Sequence, residues 1–278
     1  MRVCAITNVF DESFNLPIWI RYYGRELGRE NCVIVDHGSD SLSPEAAGCS
    51  VIHTPRSVFD DAGRARMISH LVSAMLEHYD AVLYTDCDEF LVPDPAIYSG
   101  LKQYLAGSDR RAWTAIGFDV VHNLAEEEAL DPSRPVLDQR SHVVFNPWLC
   151  KTLITRDSIR WGGGFHASSA PPAFDDLYLF HIRAVDLGES LKRLAKTRRV
   201  SAIHADMGAH HRWKDMTLIQ KVVDFTTWEQ KPDLAELPHL LERVLASVER
   251  SEGGLYNITE RFRPGYAMRL PERFQGLF

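Results

Sequence analysis

Residues 1–93 alternate between short apolar runs and stretches with helical spacing. Arg2–Asn8 (RVCAITN) is a nearly continuous apolar run ending in two hydrogen-bonding residues, as expected of a strand buried on both faces. Leu16, Ile20, Tyr23 and Leu27 follow at spacings of four, three and four, which puts them on one helix face, with Gly28 as the C-cap. Cys32–Val35 reads as a second strand that stops in the polar loop Asp36–Asp40, and Ser50–His53 as a third, shorter one. A long helix over Gly63–Tyr79 carries the stripe Met67, Ile68, Leu71, Val72, Met75, Leu76 and Tyr79. Ala81–Pro93 (AVLYTDCDEFLVP) comes next, an apolar run that breaks into acids and resumes. Alternation of this kind predicts a mostly parallel sheet with helices on its faces.

After Pro93 the pattern is weaker. A helix near Ala96–Leu105 precedes a strand near Ala112–Phe118, and His142–Phe145, Cys150–Thr155 and Leu177–Ile182 read as further strands of an α+β portion. Asn123–Arg140, rich in acids and proline, predicts an exposed loop, and Gly162-Gly163-Gly164 a mobile or closely approached one. Helices are expected at Leu187–Arg199, Met216–Trp228 and Leu234–Glu252. Without repeats, low-complexity tracts or a clean linker, the chain reads as one compact domain with a helical C-terminal tail.

The chemistry concentrates in Asp86-Cys87-Asp88-Glu89, three acids within four residues at the carboxyl end of a buried strand. Carboxylates this close repel, and burying them unpaired is expensive. A hard cation such as Mg²⁺ or Mn²⁺ offsets that cost, and open α/β sheets bind ligands beyond the carboxyl ends of their strands. An acidic turn after a strand is the plainer alternative for an isolated DxD.

Composition narrows the classes. Of 278 residues, 45% are hydrophobic and 25% charged, ordinary values for a globular protein, and the net charge of −7 argues against a nucleic-acid-coating role. Apolar runs fall far short of the ~20 residues a membrane span needs, and the N-terminus lacks a signal-like apolar region. Five scattered cysteines with no C-x-x-C pair read as reduced thiols, so a cytoplasmic location is expected.

In order along the chain, ITN, a helix, VIVDHGSD, a helix beginning near Arg64, and YTDCDEFL together resemble the nucleotide-diphospho-sugar transferase (GT-A) fold. More narrowly, the chain is similar to family 2-like glycosyltransferases with a D-x-D-E-F motif. The resemblance covers residues 3–93 well, and 142–183 loosely through CKTLI, GGGFH and LYLFHIR. It implies a three-layer α/β/α architecture with a mostly parallel mixed central sheet. Residues 1–185 would form the catalytic domain, with 1–93 the nucleotide-binding half and 94–185 the acceptor half; 186–278 would be a helical extension packed on it.

The resemblance also implies roles. Thr7, Asn8 and Asp36 would bind the nucleotide, although Asp36 and Ser39 also suit a simple turn. Arg64 or Arg66 would lie near the diphosphate, where a guanidinium fork suits phosphate oxygens. Asp86 and Asp88 would hold ribose and metal, with Asp88 the direct ligand, Glu89 in support and His181 completing the shell. Imidazole with carboxylates and water favours Mn²⁺, with Mg²⁺ the alternative. A transfer needs a group to take the acceptor's proton, and Asp175, Asp176 and His166 are the candidates. The ED and Q-x-x-R-W motifs of better-known family 2 enzymes are absent, which leaves the base open and the expected inversion of configuration in doubt. Lys151 would contact donor phosphate or acceptor, or be solvated. His204, Asp206, His210 and His211 lack metal-site spacing and read as loop residues. Trp148, Trp161 and Trp213 could stack on a sugar, but core packing is their commoner use.

The expected activity is metal-dependent transfer of a sugar from a nucleoside-diphosphate-sugar, UDP-linked in the first instance, to a glycan, lipid-linked or small-molecule acceptor. Peripheral membrane contact through the tail stays open. Two alternatives are a DxD phosphatase or phosphotransferase, and a non-catalytic GT-A-like module that binds nucleotide or glycan. The phosphatase pattern normally sits on the first strand, whereas here it follows about the fourth.

Overall fold

The computed structural model describes residues 1–199 and 213–278. The histidine-rich stretch with His204, Asp206, His210 and His211 lies outside the described residues. Strands β1 (Val3–Val9), β2 (Cys32–Asp36), β3 (Ser50–His53) and β4 (Ala81–Tyr84) are parallel neighbours in the order β3-β2-β1-β4. Helix α1 (Asn15–Leu27) connects β1 to β2, and α2 (Asp61–Met75) connects β3 to β4. α1 ends at Gly28, whose φ of 94° is one that a side chain disfavours. α2 starts where Asp60 caps it by accepting the Gly63 N–H at 2.8 Å.

The alternation predicted for residues 1–93 is therefore present, with one addition. Glu89-Phe90-Leu91-Val92-Pro93 is a separate strand, β5, which leaves the first sheet and joins a second one. Its path is pinned by α1: Tyr22 Oη donates to Leu91 O at 2.7 Å, and Tyr23 Oη takes the Leu91 N–H at 2.9 Å. Trp19 Nε1 donates to Thr85 Oγ1 at 2.8 Å. One helix face of buried aromatics thus holds both ends of the acidic turn.

After α3 (Leu101–Ala106), the strand expected over Ala112–Phe118 is two: β6 (Ala112–Thr114) and β7 (Ile116–Val121). β6 belongs to the first sheet and β7 to the second, so the chain crosses between them at Ala115. β8 (His142–Phe145) pairs with β7, and β9 (Thr152–Thr155) runs antiparallel to both β4 and β6. β10 (Ala167–Ser168) is a short strand, and β11 (Leu177–Ala184) lies between β7 and β5. Val136–Asp138 is a single helical turn with buried Val136 and Leu137, so the acidic loop predicted to be exposed is anchored partway along.

The C-terminal segment carries the expected helices, α4 (Leu187–Thr197), α5 (Asp215–Thr227) and α6 (Leu237–Ala246). It is not purely helical. Four short strands, β12 (Glu229–Lys231), β13 (Val248–Arg250), β14 (Tyr256–Ile258) and β15 (Tyr266–Arg269), are interleaved. β12 and β15 extend the second sheet, in the order β12-β15-β8-β7-β11-β5, while β10, β14 and β13 form a third. Phe274 and Phe278 are buried in the same apolar cluster as β1, β4 and β11, so one core joins the first and last residues. Among the described residues no helix is long and apolar enough to cross a membrane, and all five cysteines are free thiols.

Candidate functional site

In a sheet ordered 3-2-1-4 the connections leave β1 in opposite directions, opening a crevice at the carboxyl ends of β1 and β4. Phe10–Phe14 follows β1, and Thr85–Asp88 follows β4, so the acidic turn sits at that crevice. Register places Ile6 opposite Tyr84 and Val9 opposite Asp36, which aligns the ends of β1, β2 and β4. In the second sheet, His181 stands opposite both Glu89 and Asp119. The two sheets therefore deliver their polar side chains to one place.

The acids of the turn take three different partners. Asp88, only 2% exposed, faces His181, whose Nε2 is 3.1 Å from Asp88 Oδ2, and it is also paired with Arg193 of α4. His181 Nδ1 donates to Asp119 Oδ1 at 2.7 Å. Asp119 Oδ2 accepts from Arg263 at 2.7 Å and Asn146 at 2.9 Å. Burial alone would raise the Asp88 carboxyl, but Arg193 and His181 hold it well below the usual range. Burial would lower His181, but Asp88 and Asp119 push it up to about 9.

Asp86 turns the other way. Its Oδ1 accepts from Arg64 at 2.8 Å and from Tyr84 Oη at 2.9 Å, and Arg64 also reaches Asp61 Oδ1 at 2.9 Å. Burial works against the Asp86 carboxylate, while Arg64 and Lys151 more than offset it and lower its pKa. Glu89 is clamped by Lys151 at 2.6 Å, and its other oxygen lies 3.4 Å from the Asp86 N–H. Lys151 is 4% exposed; burial disfavours its charge, but Glu89 and Asp86 keep it protonated. So Lys151 holds the turn from beneath and is not free for a donor phosphate. Glu89 is thereby tied to both Lys151 and the turn backbone.

Asp88 Oδ2 and His181 Nε2 would fit a hard cation once the His181 proton is lost and Arg193, which pairs with the same oxygen, has moved aside. Two neighbouring ligands of an octahedral ion with bonds of about 2.1 Å lie about 3 Å apart, and these atoms are 3.1 Å apart. Asp119 supplies the carboxylate that orients a ligating imidazole through its other nitrogen. As a ligand, Nε2 must be unprotonated. Asp86 does not converge on them, because Arg64 and Tyr84 draw it to the far side of the turn. Among the described residues no three His, Cys, Asp or Glu side chains form a metal cluster, so the chain offers two donors and the remaining positions would fall to substrate and water.

The other expected residues divide. Thr7 is fully buried near the end of β1, with a hydroxyl that has no hydrogen-bond partner among the described residues. Asn8 Nδ2 donates to Val35 O at 2.7 Å and serves the sheet. Asp36 accepts the Ser39 N–H at 3.1 Å and sits 3.0 Å from His53 Nδ1, a loop-closing role that leaves it at the crevice. Arg66 points outward, 67% exposed, with Asp60 at 3.8 Å. Asp175 and Asp176 are away from the site. β5 and β11 are antiparallel with Leu177 opposite Pro93, so both acids lie at the far end of the pair, about 13 Å or more from His181 at 3.3 Å per residue. There Asp175 binds Tyr104 and Arg110, and Asp176 O accepts the Asp94 N–H.

His166 is different. Its Nδ1 donates to Trp148 O at 2.7 Å, because a carbonyl can only accept. Burial, then Lys151, lowers its pKa to about 3, so the ring is neutral and Nε2 is bare. Gly164, with φ 65°, packs against it: a Cβ there would lie 2.8 Å from His166 Nε2. Phe165, a non-glycine residue at φ 59°, stacks on Tyr84 at 4.1 Å and lies under Arg64 at 5.1 Å. The glycine run is a closely approached loop at the acidic turn, and its strained backbone fits a functional site. Trp161 is core, donating to Thr152 O at 2.7 Å, whereas Trp148 is 38% exposed beside His166.

Asp119, Arg193, Arg263 and Tyr84 were not anticipated. Asp119 had a signal: it is the one acid in the otherwise apolar Ile116–Val121 (IGFDVV). The two arginines had none, since helix α4 and the 260s meet the site only through the fold.

No family model and no curated protein matches the chain. Among solved structures, a mannose-1-phosphate geranyltransferase from Thermus thermophilus aligns at 11% identity and a TM-score of 0.31, covering 97% of this chain and 74% of that one. A CMP:2-keto-3-deoxy-manno-octonic acid synthetase complexed with CTP aligns at 12% identity and a TM-score of 0.27, covering 80% and 86%. At this depth neither activity transfers to this chain.

Proposed function

We propose that the chain is a metal-dependent glycosyltransferase that takes a nucleoside-diphosphate-sugar, UDP-linked in the first instance, and passes the sugar to an acceptor hydroxyl. The observation that carries this reading is the Asp88–His181–Asp119 line at the crevice between β1 and β4: two ligand atoms 3.1 Å apart, one oriented by a second carboxylate. Mn²⁺ or Mg²⁺ bound there would stabilise the charge gathering on the departing diphosphate.

The chain's own residues supply the rest. Asp36, at the end of β2, would border the place for the nucleoside, and Thr7, fully buried near the end of β1, would lie behind it. Arg64 fixes Asp86 toward it, and the Lys151–Glu89 pair keeps the turn rigid. His166 presents an unprotonated Nε2 next to the same turn, which suits it to take the acceptor's proton as the new bond forms. A ring held at so low a pKa is a weak base, useful only as the hydroxyl becomes acidic in the transition state.

The test is donor hydrolysis and transfer by wild type, Asp88→Asn and His166→Gln with UDP-sugars and Mn²⁺. Turnover that is lost in Asp88→Asn supports the reading. Nucleotide binding without turnover by wild type would instead favour a binding module.

A further inference from the structure

Beside Asp88 lies a cavity of about 220 Å³, walled by the loop after β1, the end of β11 and one face of α4. Its acids are already engaged. Glu12 takes Lys196 at 3.1 Å, Glu189 takes Lys192 at 2.6 Å, and Asp11 accepts the Asp40 N–H at 2.9 Å. Arg193 is paired with Asp88.

Arg183 is left over. It lines the cavity, yet among the described residues its guanidinium has no hydrogen-bond or ion-pair partner; only its backbone carbonyl is used, by Ser190. A guanidinium carries five donors in a planar fork, and holding one partly out of water next to a second guanidinium disfavours the folded state. Asp11, which also lines the cavity, adopts φ 46°, a second non-glycine residue at positive φ near this crevice. Unmet donors and strain in one cavity are what a site for a missing ligand shows.

We propose that Arg183, with Arg193 beside it, forms the oxyanion subsite of this cavity and binds a phosphate group of the substrate. The Arg183 fork matches phosphate oxygens, while Arg193, Lys192 and Lys196 each pair with a carboxylate and leave Arg183 as the unpaired cation of this cavity among the described residues. The inference rests on the glycosyltransferase reading for which molecule carries the phosphate, not for the binding of the anion. Two sources share this chemistry: the donor's diphosphate and a phosphorylated acceptor.

Calorimetric titration of inorganic pyrophosphate into metal-free protein (EDTA present) tests it, on wild type, Arg183→Gln and Arg183→Lys. Arg183→Gln should weaken pyrophosphate at least tenfold, and Arg183→Lys should recover part of the loss, since a point charge lacks the fork. Without anion, Arg183→Gln should melt close to the wild-type temperature, because among the described residues the side chain makes no hydrogen bond or ion pair to lose. An affinity unchanged within twofold, or no pyrophosphate binding by wild type, overturns the proposal. So does a lowered melting temperature with unchanged affinity, which would mark a structural arginine. A parallel titration of UDP with Mn²⁺ separates the sources: a matching loss in Arg183→Gln assigns the phosphate to the donor, and no loss assigns it to the acceptor. If wild type binds no nucleotide but Arg183→Gln still loses pyrophosphate, the glycosyltransferase reading fails and the anion subsite stands.

Discussion

Asp119 accepts the Nδ1 proton of His181 at 2.7 Å, and this one bond decides which nitrogen faces Asp88. The two residues are register partners on adjacent parallel strands, so the bond is built into the sheet. Asp119→Asn keeps the shape but weakens the orienting carboxylate. Mn²⁺ affinity, followed by the paramagnetic resonance of free ion, should fall 10- to 100-fold. Unchanged affinity would show that His181 is not a ligand.

His166 and the Asp175–Asp176 pair can be told apart by kinetics. His166→Gln should lower kcat by 100-fold or more, the usual contribution of a positioned base, while Mn²⁺-dependent nucleotide binding stays within twofold. Asp175→Asn and Asp176→Asn should leave kcat within twofold, because both acids lie at the other end of the β5–β11 pair.

Lys151 and Glu89 form a buried pair at 2.6 Å, 4% and 3% exposed. Removing one partner leaves an uncompensated buried charge, a loss of about 3–5 kcal/mol. Lys151→Met should lose that much in urea unfolding, and the double variant with Glu89→Gln should regain a large part. A mild single variant would place Lys151 in contact with solvent instead.

Part of the acid sensitivity should come from a second buried charge. Arg140, 1% exposed, lies 3.7 Å from Glu127 and 3.5 Å from Asp186. Burial alone would raise both carboxyls. Hydrogen bonds from His142 and Ser141 to Glu127, and from Glu189 and Leu130 to Asp186, with the Arg140 charge, lower both. A depressed carboxyl adds stability above its unfolded pKa, and that stability is lost as pH falls through the folded value. The melting temperature should therefore drop below about pH 4. In Arg140→Met both carboxyls rise, so the variant should start lower at pH 7 and lose less on acidification. Parallel curves for the two proteins would contradict this.

Much of the fold was legible because apolar periodicity reports burial, and β1, β2 and β4 are buried on both faces. Ser50–His53 was placed to the residue. The crossing at Ala115 was not legible: Ala112–Phe118 is apolar almost throughout, and periodicity cannot say which sheet a residue joins. Nor were β12 (Glu229-Gln230-Lys231) and β13 (Val248-Glu249-Arg250), whose largely polar triplets are held by pairing alone. At the site, Asp88 and His181 came together as the resemblance implied, since strand ends fix both. Asp86 and Lys151 went elsewhere because Arg64 and Glu89 compete for them, and such competition between distant residues leaves no local trace.

The most direct measurement is a thermal-shift panel of UDP, GDP, CDP and ADP, each with and without Mn²⁺, on wild type and Asp88→Asn. A ligand at a hundred times its Kd should add about 2.7 kcal/mol, roughly 5–10 °C for a domain of this size. The account predicts a shift with one nucleotide, UDP first, that needs Mn²⁺ and disappears in Asp88→Asn. Absence of any metal-dependent shift in wild type would contradict it.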